Sequence, residues 1–223
     1  MALYLVTGAN RGIGLAFCKL LTDRGDQVIA ACRNSSTELD ALGVRVETGV
    51  DVGDPASVKA LAEAVAGETI DCLINNAGVM RRSALGELHG ETLDGVYQQF
   101  RVNSVGPLLV TQALLGNLRK GSKVGIVTSR MGSIEDNTSG GSYGYRMSKA
   151  AVNAAGKSLA MDLKERGIAV ALLHPGYVRT DMVGGGGDVE PAEAAAGLVA
   201  RLDELDLETT GSFWHAKGQR LPW

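Results

Sequence analysis

The residues best suited to chemistry are Tyr145 and Lys149, in the run Tyr145-Arg146-Met147-Ser148-Lys149. The Ala-rich stretch that follows favours a helix, and on a helix residues four apart share a face, so a phenol and an ammonium meet. A free phenol has a pKa of about 10, and a cation held against it favours the phenolate. The pair is therefore expected to lower the Tyr145 pKa toward the working pH and make it a proton donor and acceptor. Tyr and Lys at this spacing also occur on ordinary solvated helix faces, so the pair takes its meaning from the elements around it.

Ala2 to Val6 is a short apolar run that ends in Thr7-Gly8-Ala9-Asn10-Arg11-Gly12-Ile13-Gly14, and Leu15 to Leu21 has helical spacing. Strand, glycine loop and helix in that order suit a pyrophosphate: Gly8, Gly12 and Gly14 admit close backbone approach, and the helix start offers unpaired N–H groups and a positive dipole end. Val28 to Cys32 reads as a second buried strand, followed by Arg33. An acid expected about 20 residues past such glycines would bind a ribose 2′-hydroxyl, whereas arginine accommodates a 2′-phosphate. Cys32 and Arg33 stand in place of the acid and Arg11 adds a second charge, so NADP(H) is preferred over NAD(H); the alternative is that both arginines are ordinary surface charges.

Val44 to Val50 is a third β-rich run leading to Asp51 and Val52. Asp51 is placed to accept from an adenine amino group or to cap the next helix, although Asp54 before Pro55 is the better cap. Ala56 to Ala66 is a helix, and Ile70 to Ile74 a fourth strand running into Asn75-Asn76-Ala77-Gly78, which reads as a turn or as a cofactor border. A long helix is expected over Glu91 to Leu118, with Asn103 in an apolar setting, where its amide must bond a neighbouring backbone or hold a water. Lys123 to Thr128 is a fifth strand ending at Ser129, where open α/β sheets gather ligands. Ile168 to Leu173 is a sixth strand, followed by His174-Pro175-Gly176, with His174 read as structural. Gly184 to Gly187 is expected to be a mobile hinge or small lid. Pro191 to Leu205 is a final helix and Gly211 to Trp214 a last strand.

Alternating strands and helices imply an α/β fold, a Rossmann-type doubly wound parallel sheet of about seven strands with helices on both faces, in one domain spanning 1–223. The chain of 223 residues is 45% hydrophobic with a net charge of −3. That balance gives no reason to expect nucleic acid or a membrane as partner. No apolar run is long enough to span a bilayer and no signal peptide is recognised. Cys18, Cys32 and Cys72 are sparse and scattered, which argues for buried thiols in a reducing, cytoplasmic setting and against a metal site.

Together, Thr7-Gly-Ala-Asn-Arg-Gly-Ile-Gly14, Asn75-Asn-Ala-Gly78, Asn103, Ser129, Tyr145 with Lys149, and Pro175-Gly176 resemble the short-chain dehydrogenase/reductase family, in the family's order over nearly the whole chain. Tyr-Arg-Met-Ser-Lys, His-Pro-Gly-Tyr-Val-Arg-Thr-Asp and the Leu-Pro-Trp that ends the sequence resemble its sniffer and C-factor-like carbonyl reductase subgroup. Ser129 lies sixteen residues before Tyr145, a wider spacing than in many members, read as an insertion around Asn137 to Ser142. Ser129 remains a better match than Ser133, because Ser129-x-x-Gly132 keeps the local pattern.

The resemblance implies reduction of a small aldehyde or ketone. Tyr145 would donate the proton, Lys149 would lower its pKa and hold the ribose, Ser129 would polarise the carbonyl, and Asn103 would fix a relay water. It further implies that Gly8, Gly12 and Gly14 line the pyrophosphate, Arg11 and Arg33 the 2′-phosphate, and that Asn10 and Ile13 also bind the cofactor. Asp51 and Val52 would meet the adenine, Asn75, Ala77 and Gly78 the adenosine side, and Pro175, Gly176, Val178 and Thr180 the nicotinamide end. Val79, Met80, Met131, Ile134 and Tyr177 are candidates for an apolar substrate pocket, although core and helix-face explanations fit each as well. Relatives commonly form dimers or tetramers through the helices bearing Asn103 and Tyr145, so a homo-oligomer is expected. The rival expectation is a dinucleotide-binding signalling or redox-sensing protein of the C-factor type.

Overall fold

The computed structural model describes residues 1–223. Seven strands, β1 (Leu3–Thr7), β2 (Gln27–Ala31), β3 (Arg45–Glu47), β4 (Cys72–Asn75), β5 (Lys123–Val127), β6 (Ala169–His174) and β7 (Ser212–His215), form one sheet in the order β3-β2-β1-β4-β5-β6-β7. Every pairing is parallel. The winding runs outward from β1 to β3 and then restarts at β4 on the other side of β1, so the helices that follow β1 and β4 lie on opposite faces of the sheet and leave a crevice at the strand ends.

Side-chain alternation builds two cores on the two faces. Tyr4 and Val6 of β1 point to one face, with Val28 and Ala30 of β2, where Phe17 and Leu21 of α1 (Gly12–Asp23) and Leu198 and Leu202 of α7 (Pro191–Glu204) cover them. Leu5, Ile29, Leu73 and Ile126 point to the other, beneath α3 (Pro55–Ala64), α5 (Gly106–Ala113) and α6 (Tyr143–Lys164). A short helix, α2 (Thr37–Asp40), had no periodic signature and is capped by Ser36, whose side chain accepts from the Leu39 amide. As its sequence predicts, α3 starts at Pro55 with Asp54 accepting from the Ala56 amide.

The expected long helical stretch over Glu91 to Leu118 is helical without a gap from Gly90 to Ala113, as α4 (Gly90–Phe100), a π segment (Arg101–Val105) and α5. Pro107 accounts for the π segment, since it has no N–H for the carbonyl of Asn103 four residues earlier. The third strand is also shorter than expected, three residues at the sheet edge.

Leu73 lies in the middle of β4 with no exposed surface, so Leu73→Ala removes buried carbons and leaves a cavity. A loss of about 2–5 kcal/mol in urea unfolding is expected; a loss below about 1 kcal/mol would show that this part of the sheet repacks freely.

Candidate active site

The crevice is a cleft of about 670 Å3 at the carboxyl ends of the strands. Its floor is two loops stitched together. Thr7 Oγ1, at the end of β1, accepts from the amides of Asn76 (3.0 Å) and Ala77 (3.1 Å), and Asn76 Nδ2 donates to the carbonyls of Thr7 (3.0 Å) and Gly8 (3.2 Å). The loops then touch. A Cβ on Gly8, at φ +66, would sit 2.8 Å from Ala77 Cα, and one on Gly14 would sit 2.1 Å from the Gly8 carbonyl oxygen. Arg11 precedes α1 in extended conformation and makes no capping hydrogen bond, so no side chain competes for the first-turn amides of the helix. Exposed backbone and an uncapped N-terminus of twelve residues' helix make a cradle that fits a pyrophosphate.

At the other end, α6 places Tyr145 and Lys149 one turn apart, both buried. Lys149 Nζ donates to the Val127 carbonyl at 2.9 Å and lies 5.8 Å from the Tyr145 ring centroid. Ser129 follows β5; its Oγ accepts from the Met131 amide at 3.1 Å, which leaves its proton free to be donated into the cleft. Gly132 is forced by packing, because a Cβ there would be 2.6 Å from the Lys149 carbonyl carbon. The loop beyond it is tied by an Arg130–Asp136 ion pair at 3.3 Å and by the Glu135 amide donating to the Trp223 carbonyl at 3.0 Å, with the Trp223 ring stacked on Phe213.

Burial decides the protonation of the pair. It pushes Lys149 down to about 8 and Tyr145 up to about 12, with the Ser129 hydroxyl opposing the latter. The expected depression of the Tyr145 pKa by Lys149 is therefore corrected: the lysine loses its proton first, so no ammonium remains when the phenol would ionise. At neutral pH the site holds a neutral phenol beside a cation. His174, edge-on to His215 at 4.9 Å, is driven down to about 3 by burial and by the neighbouring His215, Arg130 and Lys149, and so stays neutral.

Of the predicted cofactor residues, Gly8, Asn10 to Gly14, Arg33, Asp51, Val52, Ala77, Gly78, Pro175, Gly176, Val178 and Thr180 line the cleft together with Ser129, Tyr145 and Lys149. Asn75 does not. As the last residue of β4 its side chain turns into the core, where Nδ2 donates to Thr111 Oγ1 at 3.2 Å; Asn76, one residue on, lines the cleft instead. Asn103 lies behind the wall: its amide bonds both the N–H and the carbonyl of Val79 at 2.8 Å and reaches Ser148 Oγ at 3.0 Å. Asp51 caps no helix; Oδ1 accepts from the Gly53 amide at 2.9 Å. Val79, Met80, Met131 and Tyr177 border the cleft, but Ile134 is 80% exposed and does not.

Of the four glycines expected to form a hinge or lid, Gly186 and Gly187 are closely packed whereas nothing lies within 4 Å of a Cβ at Gly184 or Gly185. Val178 bridges Val189, and a Cβ on Gly187, at φ +124, would fall 2.6 Å from the Arg179 nitrogen. Sequence reasoning missed Gln98 and Arg101, which also line the cleft. Their three-residue spacing puts them on one face of the helical stretch, but only the fold shows that this face looks onto the crevice.

Lys149 yields a stability test with a definite sign. Below pH 8 it is charged in both folded and unfolded chains, and the fold bears the cost of burying the charge. Between about 8 and 10.5 the unfolded chain binds more protons, so stability rises with pH until the charge is gone from both states. Each pKa unit is about 1.4 kcal/mol, so the cost below pH 8 is roughly 3 kcal/mol, part of it offset by the bond to Val127. Lys149→Met is expected to be more stable than the parent by about 1–2 kcal/mol at pH 7. The gap should narrow toward pH 10 in thermal unfolding; a pH-independent gap, or a less stable variant, refutes the burial cost.

The family model of short chain dehydrogenases matches residues 2–188. The 1-hydroxy-2-glutathionyl-2-methyl-3-butene dehydrogenase of Rhodococcus sp. (strain AD45) is 44% identical over 229 aligned positions, covering all of both chains. The protein called C-signal from Myxococcus xanthus is 42% identical, covering 74% of this chain and 100% of its own. The crystal structure of NADPH-bound carbonyl reductase from chicken fatty liver superposes with a TM-score of 0.89 at 32% identity over all of both chains. An all-parallel seven-stranded sheet, a stitched glycine crevice and a match over most of its length agree: the chain belongs to the short-chain dehydrogenase family.

Proposed function

We propose that the protein is an NADP(H)-dependent reductase of aldehydes or ketones that uses Tyr145 as its proton donor. The observation that carries this reading is the convergence of Ser129, Tyr145 and Lys149 at one end of a cleft whose other end is an open anion cradle. NADPH, when bound, supplies the hydride. Ser129, its acceptor role taken by Met131, donates to the carbonyl oxygen and polarises it. Tyr145, neutral at working pH, protonates the developing alkoxide. Lys149, charged below about pH 8, stabilises negative charge there and draws a replacement proton.

The Asn103 side chain is fully engaged, so the group it offers to a relay water is its main-chain carbonyl, which Pro107 leaves without an α-helical donor. Val79, Met80, Met131 and Tyr177 supply apolar walls for the substrate. Preference for the 2′-phosphate rests on Arg33, exposed and without an ion-pair partner, and on Arg11, whose partner is the equally exposed Asp181 at 3.2 Å. The Rhodococcus relative is named for oxidising an alcohol carried on a glutathionyl group, which supports including such conjugates among the substrates. Exposed Val105, Leu108, Met147 and Met161 on α5, α6 and the π segment support a homo-oligomer. No helix is long and apolar enough to cross a membrane, and three free, buried cysteines support a cytoplasmic site.

The likeness to C-signal favours a second reading, a dinucleotide-binding signalling or redox-sensing protein. NADPH consumption with a panel of aldehydes, ketones and diketones separates the two. Tyr145→Phe is expected to cut turnover by about 10²–10⁴ while leaving NADPH affinity nearly intact; full activity in this variant sinks the mechanism. Tight NADPH binding with no turnover on any compound gives the second reading precedence. Arg33→Asp is expected to move the ratio of cofactor affinities toward NADH, and an unmoved ratio removes Arg33 from the 2′-phosphate site.

A further inference from the structure

Beside the cleft lies a second depression of about 710 Å3, between the loop after β4 and the outer face of α4. Gln98 and Arg101 line both, so the depression continues the cleft. Its charged walls are Arg81, Arg82 and Arg101 facing Glu91 and Asp94, three cations and two anions. None of Arg81, Arg82, Glu91 or Asp94 takes part in an ion pair, and the nearest carboxylate to Arg101 is Asp51 at 3.8 Å. Opposite charges in one concavity that do not neutralise each other are available to a ligand carrying both signs.

The loop that carries the arginines is held with unusual care. Val79 is bonded through both its N–H and its carbonyl to Asn103. The Arg81 amide donates at 2.9 Å to Oε1 of fully buried Gln99, whose Nε2 donates to the Gly95 carbonyl at 3.0 Å. Buried Ser83 accepts from the Gly144 amide at 3.1 Å, next to Tyr145. The Arg81 stem lies over Gly95, where a Cβ would come within 3.4 Å of its Cγ. Three buried polar side chains thus fix the backbone of a segment whose guanidiniums remain free, which is preorganisation of charge. Asn103 and Gly144 tie the same segment to the reacting end of the cleft.

We propose that this depression is a subsite for a flexible, zwitterionic tail of the substrate, one bearing carboxylates in excess over ammonium groups, as a small peptide conjugate does, with Arg81 and Arg82 as its specificity-determining residues. The assignment rests on the reading of the cleft as a carbonyl-reducing site. Arg81 and Arg82, the two guanidiniums without a carboxylate partner, match the two carboxylates of such a tail, and Glu91 or Asp94 its ammonium. A phosphate or polyanion would meet repulsion from Glu91 and Asp94, so the mixed walls select against it.

The test compares S-(2-oxopropyl)glutathione with 1-(methylthio)propan-2-one, which present the same ketone on a thioether with and without the charged tail. The parent protein is expected to show a kcat/KM ratio of at least about tenfold in favour of the conjugate, equivalent to about 1.4 kcal/mol. Arg82→Glu should lower that ratio about tenfold through KM, with Arg82→Lys retaining part of it. Equal kcat/KM for the two ketones, or a ratio untouched by Arg82→Glu, overturns the subsite and leaves the reductase reading standing. If neither ketone turns over, calorimetry with S-methylglutathione decides: binding by the parent that Arg82→Glu abolishes upholds the subsite while the reductase reading falls, and absence of binding overturns the subsite.

Discussion

Thr7 and Asn76 exchange four hydrogen bonds with each other's loops across the line where the sheet reverses its winding. That contact allows the glycine loop and the loop after β4 to approach until only glycine fits at positions 8 and 14. If the two loops were held further apart, the α1 amides and the wall formed by Gly78 and Val79 would no longer share one cleft. Each bond uses a backbone group near the end of a parallel strand, where ladder partners run out. The polar accounting of two strand ends and the shape of the binding crevice therefore have one solution, met by one hydroxyl and one amide.

The reacting end follows a different logic. Here the fold accepts an energetic cost: a lysine without a carboxylate partner, buried on a long helix, with one carbonyl as its hydrogen-bond acceptor. Burial that lowers the lysine and raises the tyrosine leaves a wide pH interval in which the phenol keeps its proton. In the proposed mechanism that protonated phenol is the form able to donate. The surroundings are held by close contacts, with Gly132 packed on the Lys149 backbone and Asn103 bonded to both the N–H and the carbonyl of Val79.

Much of this was legible in the sequence where a local rule and the global fold coincide. The apolar run of β1, the glycines after it and the Asp54-Pro55 start of α3 obey short-range steric and capping rules that tertiary structure does not override. The four-residue spacing of Tyr145 and Lys149 survived because α6 is continuous. Other features depended on facts that spacing does not carry. Asn75 and Asn76 are chemically identical, and only the strand's alternation, together with where it ends, separates the core residue from the cleft residue. Pro107 was visible, but its effect on the carbonyl of Asn103 becomes structural only once α4 and α5 pack as one interrupted helix. The sign of the Tyr145 shift depended on burial, a property of the assembled core.

The tie between Glu135 and Trp223, with the tryptophan stacked on Phe213, joins the loop behind Ser129 to residues far along the chain. During synthesis the Tyr145–Lys149 helix and the serine strand emerge well before their brace does. The floor of the glycine crevice is stitched among residues made early, with α1 covered by α7 later, whereas the Ser129 loop gains its last support only from Trp223. The crevice floor and the Ser129 loop are thus completed by parts of the chain made at different times, and a chain lacking Phe213 to Trp223 would lose the brace behind Ser129.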